Sequence, residues 1–509
     1  MADLLLGIDA GTSGIKVCAF RRDGSLVTKT HRAIQVMTPR PLWAEIDLQT
    51  YWDLVVSAVR EVTDRVGPVS SVGLATTCPT TIVLDADDLP IRPGIVYLDG
   101  RAEGILREYA GADPHGYAKR TGNNPSTSAA WVANVAWLRR NAPESWAGVR
   151  RVTMLNGYLA LKLTGRLAME PTQASCSGLM DIAALEPAWS SDLARDWRIE
   201  PDLLPDIISC AAPVGQVQAE AAHTTGLPRG TPVALGAADT AAASFAVGLC
   251  NSGSAFESVG TSGVITFCLN RPDFDPCFLN RQHVLPGRWL AHGAMSTLGG
   301  AFGWLTGQVW PELGCFEEIE RLAQTSVPGA NGLVFLPYLS GERSPIWDAM
   351  ASGTWVGLRL NHTRQDMIRA VFEGTSFGLR QILARGQTKW GWLPRRLLGV
   401  GGGARSRFWA QLKADVLHLE YLVSDMADAA ALGAASLGGI AAGSFRGLDD
   451  PEIPIIKETE APVRPGAKPV REAYDRSFRV YELLYPQLRE AMHALASHSD
   501  VTGGHQDAR

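Results

Sequence analysis

Long hydrophobic runs are missing from this chain, and so is any excess of positive charge. The uncharged stretch at residues 429 to 445 is rich in Gly and Ala and falls short of the roughly 20 apolar residues that span a bilayer. No membrane-spanning helix is expected. The N-terminus passes from Met1-Ala2-Asp3 into an apolar strand without a basic segment and cleavage site, so no secretory leader is expected either. Lys and Arg number 47 against 52 Asp and Glu, a net charge of −5, which leaves no basic stripe for nucleic acid or an anionic membrane. The eight cysteines include no C-x-x-C pair and no metal-ligand spacing, as in a reduced cytoplasmic protein. At 509 residues and 46% hydrophobic, the chain fills two or three cores.

What is present is a repeat. Gly11-Thr12-Ser13-Gly14 returns about half a chain later as Gly260-Thr261-Ser262-Gly263. Apolar, β-branched segments flank both copies, so each reads as strand, tight turn, strand. A turn of Gly, Thr and Ser leaves backbone N–H groups uncovered and adds hydroxyls, which suits a phosphate. Two such turns at half-chain spacing suggest two related domains serving one nucleotide.

After the first hairpin, Arg22-Asp23-Gly24-Ser25 turns the chain into a third strand, Leu26 to Ile34. Asp47 is placed to cap a helix from Leu48 to Arg65, where Trp52, Val55, Val56, Val59 and Val62 recur at helical spacing. Strands follow at Ser71 to Thr77, Thr81 to Asp85 and Pro93 to Tyr97. Three strands, a helix and a strand is the ribonuclease-H-like order. In the second half, strands flank Gly260 and run through Trp289, and Ser296 to Val309 reads as a helix. A strand at Arg396 to Val400, a helix at Ser406 to Leu419, a strand at Tyr421 to Val423 and an Ala-rich helix from Asp428 follow. The expected domains are 1–245 and 246–496, with a disordered tail at 497–509.

Asp9 ends an apolar strand before the first turn and is the carboxylate expected to serve Mg²⁺ beside phosphates. Lys16 lies just beyond that turn. Asp239 stands among small residues, Gly236 to Ala243, either as a helix cap or as a base that accepts the proton of an attacking hydroxyl. Gly399-Val400-Gly401-Gly402-Gly403-Ala404, with Glu420 downstream, formally satisfies a dinucleotide fingerprint and supports a nicotinamide-dependent dehydrogenase as a rival. The same turn serves equally as an ATP site. Trp43, Tyr97, Asp99, Arg101 and His292 are polar or aromatic residues at strand or loop ends, of the kind that line sugar sites. Cys78 has a default reading as a small buried hydrophobe.

Together these motifs resemble the FGGY family of carbohydrate kinases, and within it most closely the pentulose kinases of the xylulokinase type. The likeness runs through Gly7 to Lys16, Asp99-Gly100-Arg101, Gly236 to Ala243, Ser258 to Gly263, Phe335 to Pro345, Gly353 to Leu358 and Gly401 to Ser406. It implies an α/β protein of two ribonuclease-H-like, actin/hexokinase-like ATPase domains around a central cleft, with sugar mainly on the first and ATP on the second. Residue by residue, it implies Asp239 as general base and Asp9 as the Mg²⁺ carboxylate. Gly11, Thr12, Ser13 and Lys16 would form one phosphate loop and Gly260, Thr261 and Ser262 the other. Gly402, Gly403, Ala404 and Ser406 would lie beside adenine. Thr77, Cys78, Tyr97, Asp99, Arg101 and Thr240 would join Asp239 around the sugar. The implied reaction passes the γ-phosphate of ATP to a hydroxyl of a ketose or related polyol, in a cytoplasmic enzyme for which a homodimer is an open expectation. An actin-like or chaperone-like ATPase without a sugar is the alternative of another class.

Departures bear on the substrate. Where xylulokinases carry Gln-Met-His-Gly, this chain has Thr77-Cys78-Pro79-Thr80; Tyr97 replaces Trp, Leu98 replaces Asn, and Asn134 stands where Lys is frequent. A pocket with Cys and Pro in place of hydrogen-bonding groups is expected to read a different hydroxyl pattern from that of xylulose.

Overall fold

A computed structural model describes residues 4–111, 114–123, 131–424 and 426–502. Packing gathers them into two compact units. The first comprises 1–251, 268–291 and 428–456; the second comprises 252–267, 292–427 and 457–509.

The first unit is built on a sheet in which Leu5–Ala10 pairs antiparallel with Gly14–Phe20, and that strand pairs antiparallel with Leu26–Ala33. On its other side Leu5–Ala10 runs parallel to Ser71–Thr76, which runs parallel to Pro232–Ala238. The strand Leu5–Ala10 is covered on both faces, which explains its unbroken apolar run. Asp47 caps the helix Leu48–Val66 by accepting the Thr50 N–H at 2.7 Å, and the helix buries Trp52, Val55, Val59 and Val62.

The second unit repeats this plan. Ala255–Val259 pairs antiparallel with Gly263–Leu269 and runs parallel to Arg396–Val400, which runs parallel to Glu420–Val423. A buried triad ties it together: Lys413 donates to Glu257 at 2.6 Å, Tyr421 donates to the other oxygen of Glu257 at 2.6 Å, and the Lys413 ammonium lies 4.1 Å from the Trp409 ring centroid. Among the described residues no helix is long and apolar enough to cross a membrane.

The units depart from the sequence expectation of one boundary near 245. Residues 428–456 return to the first unit because the Gly- and Ala-rich helix Ala429–Ala441 packs directly on its strands. A Cβ on Gly7 would lie 1.9 Å from the Ala431 carbonyl oxygen, and one on Gly73 would lie 1.8 Å from that of Ala434. On another face of this helix, a Cβ on Gly433 would come within 2.0 Å of the Ala242 carbonyl oxygen. Only residues without side chains permit so close an approach. The C-terminal helix, Lys468–Thr502, also runs through 497–502, which the sequence assigned to a tail, since extending a formed helix costs little. Residues 503–509 lie outside the described residues.

Two substitutions test this framework. Gly73→Val has no room short of backbone displacement and is expected to cost about 3 kcal/mol, read as a lowered urea midpoint. Lys413→Met strands the Glu257 carboxylate in the second core, with an expected loss of about 3–5 kcal/mol by the same measurement.

Candidate functional site

Three parallel strands of the first unit end side by side, because Ala10 and Ala238 both stand in register with Thr76. The residues that follow each strand therefore share one edge of the sheet: the Gly11–Gly14 turn, Thr77-Cys78, and Asp239. Ligands of open α/β sheets bind at such carboxyl edges. The Thr77 N–H donates to the Ala10 carbonyl at 3.1 Å, which locks two of these loops together. Within the turn, Gly11 N–H donates to Gly14 O at 3.0 Å and Tyr51 Oη donates to Gly11 O at 2.9 Å. The loop is thus fixed by its carbonyls, and the Thr12 and Ser13 N–H groups make no hydrogen bond among the described residues.

Asp9 pairs across the hairpin with Lys16. Burial, then the charge of Asp239, pushes the Asp9 carboxyl up to about 7; Lys16 opposes this and Asp428 adds to it. Asp428 lies just before the helix Ala429–Ala441 and forms ion pairs with Lys29 at 2.8 Å and Lys16 at 3.8 Å. Asp239 opens the helix Asp239–Ala246, and its Oδ1 accepts the Thr240 N–H at 2.6 Å and the Thr240 hydroxyl at 3.1 Å. The cap position itself belongs to Ala238, so the carboxylate stands in the first turn of the helix. Gly236, at φ +69°, brings the strand so near its neighbour that a Cβ would lie 1.6 Å from Leu74 O.

The segment from Glu170 to Ser177 braces this edge from behind. Thr172 Oγ1 accepts the Ala238 N–H at 2.8 Å, and Gln173 Nε2 donates to Thr76 O at 3.5 Å and to the Thr76 hydroxyl. Glu170 anchors the segment by accepting Thr172 N–H at 2.6 Å, Gln173 N–H at 3.0 Å, Asn156 Nδ2 at 3.2 Å and the Cys210 thiol at 3.3 Å. Burial raises Glu170 to about 7 against those hydrogen bonds. Cys78 keeps partial exposure and its sulfur lies 3.9 Å from that of Met154. Tyr97 is half-buried just after the strand Gly94–Val96.

Asp99 and Arg101 are engaged with protein groups. The Arg101 guanidinium lies 3.7 Å from the Trp43 ring centroid and donates to Asp99 at 2.8 and 2.6 Å and to Glu45 at 2.7 Å. Asp99 also accepts the N–H groups of Ala44 at 2.6 Å and Arg101 at 2.9 Å. Both carboxylate oxygens are therefore occupied, and the pair positions the segment Trp43-Ala44-Glu45 that leads into the strand Glu45–Ile46. His292 is buried in the second unit and bonds Thr266 Oγ1 through Nδ1 at 2.9 Å, so it is a sheet residue there.

In the second unit the Gly260 and Gly401 turns also share an edge, because Ser258 and Val400 are in register. The carbonyls of Gly260 and Thr261 accept N–H groups of Leu298, Gly299 and Gly300 at 2.9 to 3.0 Å. That clasp occupies residues the sequence placed in one long helix, which instead is a short helix, Gly300–Trp304, followed by a π turn. Thr261 and Ser262 keep exposed surface. Gly401, at φ +115°, presses on Val259, a Cβ on Gly402 would meet open space, Ala404 is buried, and Ser406 caps the helix Arg407–Leu417 by accepting Trp409 N–H at 2.9 Å. Glu420 begins its strand opposite Arg396, at the amino edge, a strand length of about 13 Å from the glycine turn. It pairs with Arg464 at 3.1 Å, so it is placed wrongly for a ribose hydroxyl, and the dehydrogenase reading fails.

Sequence reasoning missed Asp428, Glu45 and Glu170. The one visible signal was an acid immediately before an uncharged Ala-rich helix, at Asp428.

Comparison with known proteins agrees with this geometry. The profile of the FGGY family of carbohydrate kinases matches through its N-terminal domain at residues 4–246 and its C-terminal domain at 255–442. The chain is 28% identical over 505 residues to a xylulose kinase of Lactococcus lactis, covering 97% of this chain and 99% of that one. It is 26% identical over 525 residues to a gluconokinase of Bacillus subtilis, covering 98% and 100%. The solved xylulose kinase from Rhodospirillum rubrum superposes with a TM-score of 0.86 at 30% identity, covering 96% of this chain and all of that one. With its two actin/hexokinase-like sheets and a family match along most of its length, the chain belongs to the FGGY family of carbohydrate kinases.

Proposed function

We propose that this sugar kinase phosphorylates a hydroxyl of a ketose-like or related polyhydroxy substrate other than xylulose, with Asp239 as general base. The observation that carries this reading is the convergence of Asp9, Asp239, the Gly11–Gly14 turn and Thr77-Cys78 at one carboxyl edge. Asp239 holds one oxygen on Thr240, which fixes its rotamer and leaves the other free for a hydroxyl proton. The uncovered N–H groups of the Gly11 and Gly260 turns suit phosphate oxygens, and the open space at Gly402 suits the nucleoside. Lys16 adds a positive charge on the strand leaving the first turn.

The donor set at Asp9 fits Mg²⁺: a hard cation takes one or two carboxylates, and it relieves the repulsion that raises Asp9. Asp9 would hold it, with Asp239 close by. When bound, the cation supplies charge neutralisation for the phosphates. Asp99, Arg101 and Trp43 support the sugar side by positioning its strand. Cys78 and Pro79 take the places where xylulose kinases carry Met and His, which favours another substrate. Use of ATP fits a cytoplasmic enzyme.

Two outcomes are expected. Asp239→Asn lowers sugar-dependent ADP release by roughly 100- to 10,000-fold while ATP affinity is retained; normal turnover in this variant would remove Asp239 from the chemistry. Sugar-independent ATP hydrolysis at full rate would favour an ATPase instead. A carboxyl at about 7 is protonated below that pH and must lose its proton to bind a cation. Mg²⁺-dependent ATP affinity therefore weakens as pH falls through that value, and Asp9→Asn abolishes the dependence; calorimetry one unit either side of it decides.

A further inference from the structure

The short strand Leu279–Gln282 belongs to the first unit and carries Arg281. Its neighbours are tightly held. Asn280 N–H donates to Asn123 Oδ1 at 3.2 Å, Gln282 N–H to Ser175 Oγ at 3.0 Å, and Gln282 Nε2 to Ala184 O at 2.6 Å. The bond to Ser175 joins this strand to the Glu170–Ser177 segment, which also grips Thr76 and Ala238. Arg281 is thereby brought to the carboxyl edge that carries Cys78 and Asp239. Burial acts against its charge, and Asp239 and Glu170 are the carboxylates near enough to act on it.

Arg281 is 9% exposed, yet it makes no hydrogen bond or ion pair with any described residue. Other buried arginines do: Arg101 is forked onto Asp99 and Glu45, and Arg369 onto Glu373 and the Tyr474 hydroxyl. Nor are the two nearby acids its contact partners. Glu170 is committed to four donors of its own, and Asp239 to Thr240. A guanidinium taken out of water without a contacting anion is unfavourable unless a ligand supplies that anion. A sugar hydroxyl fills its hydrogen bonds and leaves its charge; a carboxylate does both, through two parallel N–H···O bonds.

We propose that Arg281 reads a carboxylate on the substrate, so that the acceptor is a sugar acid of the aldonate class. This rests on the kinase reading above and narrows its substrate. The guanidinium would also offset the repulsion between a substrate carboxylate and Asp239, which a neutral ketose does not require. The Cys78-Pro79 pair, which offers no strong hydrogen-bonding side chain, is consistent with specificity vested in one charged contact.

The full-length enzyme, assayed for ADP release with Mg-ATP, is offered tetronates, pentonates and hexonates against tetruloses, pentuloses, hexuloses and sugar phosphates. Turnover of a sugar acid is expected. Arg281→Gln should lower kcat/KM for it by roughly 10- to 100-fold, mainly through KM, with Arg281→Lys intermediate. Thermal shift with the sugar acid alone keeps the test independent of turnover: wild type is stabilised and Arg281→Gln, folded in the absence of ligand, is not. Should Arg281→Gln not fold, Arg281→Lys carries the comparison. Preference for a neutral sugar or a sugar phosphate, or equal kcat/KM in the variants, overturns the proposal and leaves the kinase reading intact. The absence of both turnover and thermal shift with every sugar acid also overturns it. Steady ATP hydrolysis indifferent to every sugar defeats the kinase reading itself.

Discussion

Backbone packed on backbone is the constraint from which the first unit follows. The helix Ala429–Ala441 approaches the strands of Gly7 and Gly73 and the helix containing Ala242 so closely that no Cβ fits at the contact positions. The approach sets the position of Asp428, immediately before that helix, against Lys16 and Lys29. It also fixes Asp239–Ala246 over the ends of the strands. Four charges are then held on elements that cannot shift independently, which is the preorganisation that phosphoryl transfer requires.

The two sheets apply one solution twice. Each places a Gly-Thr-Ser-Gly turn after its first strand and a second loop after the adjoining parallel strand. In each, the turn's own carbonyls are bonded away, by Tyr51 and Gly14 in one unit and by Leu298 to Gly300 in the other. What differs is the chemistry set beside the turn: carboxylates and a lysine in the first unit, glycines and an open surface in the second. The same backbone thereby carries charged groups beside the turn in one unit and an uncharged glycine turn in the other.

Much of this was legible from residues alone. The repeated turn, the Asp47 cap and the strand order follow from local chemistry, and with them the fold and the places of Asp9 and Asp239 at the strand ends. Other features were not. Leu155–Thr164 is apolar all round and shows no helical period, because every side of it is covered. The return of residues 428–456 depends on shape complementarity at Gly7, Gly73 and Gly433, which a sequence read in order does not reveal. Arg281 was invisible for a similar reason. A lone arginine on a short strand looks solvated until hydrogen bonds from Asn280 and Gln282 show which wall it belongs to. Asp99 and Arg101 show the opposite case, a motif whose polar groups turn out to satisfy each other.

The discontinuity of the first unit has a consequence for biosynthesis. When residue 251 leaves the ribosome, the strands of Leu5–Ala10, Ser71–Thr76 and Pro232–Ala238 are all present, but the helix that covers Gly7 and Gly73 is encoded about 200 residues later. At bacterial rates that interval is roughly 10 to 40 s. Through it the nascent sheet has an uncovered apolar face while the second unit's chain is being made. The N-terminal half is thus a client for chaperones during translation, and it cannot be a self-sufficient fragment when cut at 251.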